Sequence, residues 1–153
     1  MMCGTGMEWG AVAATRRRDV DLKPRTIHAH GGKTRFRDRI VRVTEDWCWP
    51  ILERHLKLMH PDTPVVTITG RQALRAQLEA CERLELPHHT LHDWRHSYAV
   101  AALKRRDDPQ TVKRQLGHAP NSVLIYRVYG AYLPCIADLP ATHSATRRRT
   151  GVR

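Results

Sequence analysis

The sequence predicts an α+β fold, mostly helical, with one small antiparallel β-hairpin. Three observations lead there. Helix-start signals followed by apolar residues at three- and four-residue spacing dominate from Asp46 onward, and alternating residues flank a Gly31-Gly32 pair in the first third. The length, 153 residues, suits one hydrophobic core and is short for a second.

In chain order, a turn at Gly6 leads into a short helix reaching Ala14, followed by the charged run Arg16-Arg17-Arg18-Asp19. The chain starts without a capped, self-contained entry, as expected of a fragment or a truncated reading frame. Arg25 to His30 and Lys33 to Val43 read as the two arms of a hairpin turning at Gly31-Gly32. In the second arm Lys33, Arg35, Arg37 and Arg39 fall at period two, so a regular strand would present all of them on one face. Such a stripe repels itself and is suited to phosphates, each contact releasing roughly one counterion. His28 and His30 also alternate; they read as strand residues, since the local sequence supplies no further ligand set.

Asp46 to Leu58 reads as helical, with the regular helix starting at Pro50, a residue suited to a first turn. Trp47 and Trp49 are expected to anchor the core or a hinge. After the break at His60-Pro61-Asp62-Thr63-Pro64, Val65 to Thr69 is a short strand candidate. Thr69 and Gln72 then form a capping box for a scaffold helix carrying Leu74, Leu78 and Cys81. Thr90 and Asp93 repeat the box, so a second helix begins at Leu91. On it His92 and Arg95 lie one turn apart near the helix N-terminus, where backbone N–H groups favour an anion, while Trp94, Tyr98 and Ala101 are expected to bury another face. Asp108 caps a further helix with Pro109 in its first position, Val112 and Leu116 on its apolar line and Lys113 and Arg114 on its basic one. Gly117 suits a left-handed C-terminal residue that turns His118 back into a cleft. Asn121 or Ser122 can cap a last short helix with Val123, Leu124 and Tyr126, ending near Tyr129.

Composition narrows the partners. Lys and Arg number 26 against 15 Asp and Glu, a formal net charge of +11, so the expected partner is a polyanion, nucleic acid first. No apolar run approaches the ~18 residues of a spanning helix, and the first residues lack the layout of a signal peptide. Cys3, Cys48, Cys81 and Cys135 are scattered without a C-x-x-C pair, which argues against a zinc knuckle and against a disulfide framework.

The ordered His92, Arg95, His118 and Tyr129 fit phosphoryl transfer. A phosphodiester under attack gains negative charge that a guanidinium holds bidentately, the role that suits Arg95. Imidazoles at His92 and His118 can donate to a phosphoryl oxygen or take a proton. A phenol can attack to give a covalent phosphotyrosine, which needs neither a nucleotide nor a metal ion, and no P-loop or carboxylate cluster for Mg²⁺ is evident. No cofactor is expected. Tyr126, Tyr129 and Tyr132 all lie in the right stretch.

His92-x-x-Arg95, Leu116-Gly117-His118 and Val128-Tyr129-Gly130 together resemble the second active-site box of the tyrosine recombinases, the phage-integrase family. Gly32-Lys33-Thr34 followed by Arg37, Arg39 and Val41 resembles that family's β-hairpin, and Thr5-Gly6-Met7 its first box. The resemblance spans about residues 5 to 134. It implies a recombinase catalytic domain over 1–140 without the family's N-terminal core-binding domain, and a flexible basic tail over 141–153. It implies Tyr129 as nucleophile, Lys33 as general acid on the leaving 5′-oxygen, and Arg35, Arg37, Arg39, Lys113 and Arg114 along double-stranded DNA. The implied assembly is a homo-tetramer on DNA and a monomer when free, in the bacterial cytoplasm and at the nucleoid, with no membrane association. Leu133 to His143 matches the segment that docks on a neighbouring protomer.

Two positions depart from the pattern; one is Ala11, where the family commonly has a glutamate after the next glycine. Where the family places an arginine after Thr-Gly-x, this chain has Glu8, a loss expected to remove about 3 to 4 kcal/mol of transition-state stabilisation. Arg16, Arg17 or Arg18 are the nearby arginines that could stand in. The competing expectations are an impaired remnant that binds integrase sites without cutting, and a basic RNA-binding or ribosome-associated module.

Overall fold

The computed structural model describes residues 1–31 and 36–133. Lys33 and Arg35, and the expected docking segment and basic tail within 134–153, lie outside the described residues. The α-helices are α1 (Met2–Thr5), α2 (Trp9–Ala14), α3 (Trp49–Leu56), α4 (Gly70–Arg83), α5 (Leu91–Lys104), α6 (Pro109–Leu116) and α7 (Leu124–Tyr129). The strands β1 (Val20–Asp21), β2 (Thr26–Ala29) and β3 (Arg39–Arg42) form one antiparallel sheet in that order, pairing Val20 with Ile27 and Ala29 with Arg39. The mostly helical α+β expectation is met. Among the described residues no helix is long and apolar enough to cross a membrane.

The helix starts expected from local chemistry form. Gln72 N–H donates to Thr69 Oγ1 and Thr90 N–H donates to Asp93 Oδ2 at 2.6 Å, closing caps on α4 and α5. Asp108 accepts from the Thr111 N–H at 2.8 Å above Pro109. Gly117 ends α6 at φ 72°, and the Ser122 hydroxyl accepts from the Leu124 N–H at the start of α7.

Several expectations are corrected. Among the described residues the β2–β3 ladder ends at Ala29 with Arg39, so Arg37 is off the ladder and the described part of the cation stripe does not form; the expected Gly31-Gly32 turn runs into 32–35, outside the described residues. Val65 to Thr69 is not a strand; only an isolated bridge joins Arg16 and Pro64, with the Val65 N–H donating to the Thr15 carbonyl. Trp49 is buried, whereas Trp47 is 60% exposed. On α5 the inward face is Arg95, Tyr98, Ala99, Ala102 and Leu103, while Trp94 lies at the surface and donates its indole N–H to Gln77 Oε1 at 2.7 Å.

Two apolar clusters result. One joins the sheet to α1, α2 and α3 through Met7, Ile27, Val41, Trp49 and Leu56; the other joins α5, α6 and α7 through Tyr98, Leu103, Leu116 and Ile125. They meet where α1 packs on α5 at the left-handed Gly6, φ 70°. A Cβ there would sit 2.6 Å from Tyr98 Cδ1 and 2.8 Å from Leu116 Cδ2, so only glycine fits both the turn and the approach.

Candidate active site

Arg95 lies at this junction. It is 6% exposed, and its guanidinium donates through Nη1 to the Gly6 carbonyl at 2.6 Å and through Nη2 to the Leu116 carbonyl at 2.7 Å. These carbonyls come from the α1–α2 turn and the end of α6, so the cation is oriented by both halves of the fold. A buried guanidinium with no carboxylate hydrogen-bonded to it among the described residues is poised for an external anion.

His118 follows the Gly117 turn, with Nε2 3.4 Å from Arg95 Nη2. Burial first, then the positive charges of Arg95, Arg37, Arg39 and Lys113, lower its pKa to about 4. The ring is therefore neutral at pH 7. Arginine cannot accept a hydrogen bond, so Nε2 faces it as acceptor and the ring proton is assigned to Nδ1. That buried Nδ1 has no partner among the described residues, and neither has the buried Nη2 of Arg39. Both residues line one cavity of about 630 Å³. Two unpaired buried donors facing a basic cavity are what an oxyanion would satisfy. Arg39 is held by Nε to the Gln115 carbonyl and Nη1 to the Arg37 carbonyl, both at 2.9 Å, and burial lowers its pKa to about 10.

The His118 shift has a sign that solution measurements can check. Between pH 6.5 and about 4 the unfolded chain takes up a proton that the folded chain refuses. Stability is therefore expected to fall as pH drops through that window, and His118→Asn to flatten that part of the curve, read from urea midpoints at stepped pH.

Tyr129 ends α7 and is 5% exposed. Its hydroxyl lies 2.5 Å from His96 Nδ1, and Arg95 acts on it electrostatically. Burial raises the Tyr129 pKa, with Arg95 opposing, so the phenol is protonated at neutral pH. Burial lowers that of His96, and the neighbouring His92 and Arg95 add to this, so the imidazole is neutral and able to accept the phenolic proton. The sequence pattern alone gives His96 no role, although its four-residue spacing from His92 places both on one helix face, their rings 4.5 Å apart. His92 itself is exposed. The other two tyrosines stand elsewhere: the Tyr126 hydroxyl meets Gln110, and the Tyr132 ring lies beneath Lys104.

Glu8 forms an ion pair with Arg37, from the β2–β3 connection. Burial works to raise its pKa, but Arg37, Arg95 and Arg39 outweigh this and hold it below the ordinary carboxylate value. Arg16, Arg17 and Arg18 do not stand in at the site: Arg16 and Arg18 bond to Asp62, and Arg17 to the Leu56 and Val20 carbonyls. Arg37 and Arg39 supply cations there instead. Lys113 departs from the expected exposed basic line, being 3% exposed with its ammonium on the Pro120 and Ser122 carbonyls, while Arg114 stays at the surface.

Solved structures supply the comparison. The chain superposes on XerA recombinase with a TM-score of 0.69 at 22% identity, covering 88% of this chain and 55% of that one. It superposes on the Tn1549 transposon integrase, solved with transposon right end DNA, at a TM-score of 0.70 and 15% identity over 84% of this chain and 51% of that one. The fold is that of a tyrosine-recombinase catalytic domain. A Tn1549 integrase complex with circular intermediate DNA matches the same tyrosine-recombinase fold at a TM-score of 0.70 and 14% identity, over 90% and 55% of the respective chains. The chain thus spans about half the length of these recombinase and integrase structures. No protein-family model matches it, and neither does any curated protein.

Proposed function

We propose that this chain is the strand-transfer domain of a site-specific DNA recombinase or integrase, cutting and rejoining one strand through a 3′-phosphotyrosine at Tyr129. The carrying observation is the buried Tyr129 hydroxyl, 2.5 Å from His96 Nδ1 and within the electrostatic influence of a buried Arg95. In this reading Tyr129 Oη attacks phosphorus and its proton passes to His96. The phosphorus–O5′ bond breaks, and the 5′-oxygen takes a proton from Lys33, as the family resemblance implies. Arg95, His118 and Arg39 bear the charge gained by the phosphoryl oxygens, with His92 supporting His96 from the exposed side. Rejoining runs the same steps backward with a 5′-hydroxyl as nucleophile. Double-stranded DNA is the substrate, Arg37 and Arg114 contribute phosphate contacts, and a homo-tetramer on DNA is the working assembly.

Glu8 favours a second reading, an impaired integrase remnant that binds DNA without cutting, because a carboxylate beside Arg37, Arg39 and Arg95 opposes an incoming phosphate. A nicked suicide duplex that traps a denaturation-resistant adduct separates the two. Strand transfer predicts an adduct from the parent chain; the remnant reading predicts none from the parent but recovery in Glu8→Arg. In either case Glu8→Gln releases Arg37. Duplex affinity is expected to rise, with the slope of log affinity against log salt steeper by about 0.9, as for one added phosphate contact.

A further inference from the structure

We propose that Asp19, His28 and His30 form a zinc-binding site on the solvent side of the sheet, independent of the DNA chemistry above. Ile27 and Ala29 are wholly buried, so the alternation of β2 sends His28 to the opposite side, and His30 follows it. Their rings stand 4.3 Å apart. The neighbouring segments add a carboxylate on each flank. Continuing the β1–β2 register past Val20 and Ile27 places Asp19 opposite His28, and continuing the β2–β3 register past Ala29 and Arg39 places Asp38 opposite His30.

One ligand atom from each of Asp19, His28 and His30 lies within 4.8 Å of the others. Asp19 Oδ1 is 3.1 Å from His30 Nε2; Asp38 Oδ1 is 2.7 Å from His28 Nε2, and its Oδ2 is 3.9 Å from His30 Nδ1. Ligands about 2.0 to 2.2 Å from a tetrahedral zinc stand about 3.3 Å apart, so small side-chain movements convert these contacts into a coordination sphere. Two imidazoles and a carboxylate suit Zn²⁺ over Mg²⁺ or Ca²⁺, and Asp38 is placed to orient the imidazoles. Asp19 is already anchored, its Oδ2 accepting the Arg16 N–H at 2.7 Å. Metal here would tie the segment before β1 to the β2–β3 connection that delivers Arg37 to Glu8. The donors come from two separate segments and Asp38 from a third, so the local sequence around His28 and His30 does not display the full set.

The test titrates Zn²⁺ calorimetrically, and Co²⁺ spectroscopically, into the metal-stripped, untagged full chain. One saturable equivalent is expected, with Co²⁺ visible absorption of a low-coordinate nitrogen and oxygen site. The double variant His28→Gln, His30→Gln is expected to bind at least about 100-fold more weakly, and Asp38→Asn about 10-fold. His92→Gln with His96→Gln, which removes a second pair of imidazoles in ring contact, is expected to leave this equivalent unchanged. Zn²⁺ is expected to raise the melting midpoint of the parent and, by less, of Asp38→Asn, following the logarithm of their affinities. Absence of saturable binding by the parent, or equal affinity in the His28 and His30 double variant, overturns the site. Should that variant fail to fold, an unchanged affinity in Asp19→Asn, which keeps the Arg16 hydrogen bond, overturns it instead.

Discussion

Tyr129→Phe is expected to abolish the covalent protein–DNA adduct on a nicked suicide duplex while leaving the fold and duplex affinity close to the parent's. The substitution removes the proposed nucleophilic oxygen and keeps the aromatic volume that packs with Tyr98 and Ile125. Its structural cost is the hydrogen bond to His96, about 0.5 to 1.5 kcal/mol. Tyr126→Phe and Tyr132→Phe are expected to keep the adduct, since these residues lie at the surface and engage Gln110 and Lys104. Loss of the adduct in either of those, with retention in Tyr129→Phe, would show that the nucleophile has been misassigned.

Arg95→Ala is expected to damage stability and chemistry together. The Gly6 and Leu116 carbonyls both lose their donor in a buried place, at about 1 to 3 kcal/mol each. The sum is a large fraction of the 5 to 15 kcal/mol that typically separates folded from unfolded domains. Strand transfer is expected to fall by roughly 10² to 10³ from the lost oxyanion donors alone. Arg95→Lys separates the two effects: its ammonium keeps the charge but cannot span both carbonyls as a planar fork does. Urea midpoints should place it between parent and Arg95→Ala, with adduct formation still strongly reduced. Parent-like strand transfer in Arg95→Lys would show that charge alone, without the fork, suffices.

What was legible in the sequence was mostly local. Caps at Thr69, Thr90 and Asp108 depend on side chains three residues from the N–H they accept, and the left-handed Gly117 on its own backbone, so each formed as expected. Of His92, Arg95, His118 and Tyr129, Arg95 lies 3.4 Å from His118 and acts electrostatically on Tyr129, while His92 is exposed. The described part of the cation stripe did not form because alternation along the sequence does not set how far a ladder runs; this one ends at Ala29 and Arg39, its register fixed by Ile27 and Val41 entering the core. The inward face of α5 was misjudged for a related reason. Hydrophobicity places Trp94 inside, but two distant carbonyls needing donors draw Arg95 there and leave the indole to Gln77.

Residue types and their spacing were enough to establish a basic, mostly helical chain whose second half lines up one guanidinium, two imidazoles and a phenol along capped helices. They could not say which arginines would gather beside Glu8, that His96 would be the residue touching Tyr129, or that Asp19 and Asp38 would close around His28 and His30. Those pairings join positions far apart along the chain, or turn on which side of a helix faces inward. Such contacts arise only when buried donors and acceptors must all be satisfied at once, a condition set by the packed fold as a whole.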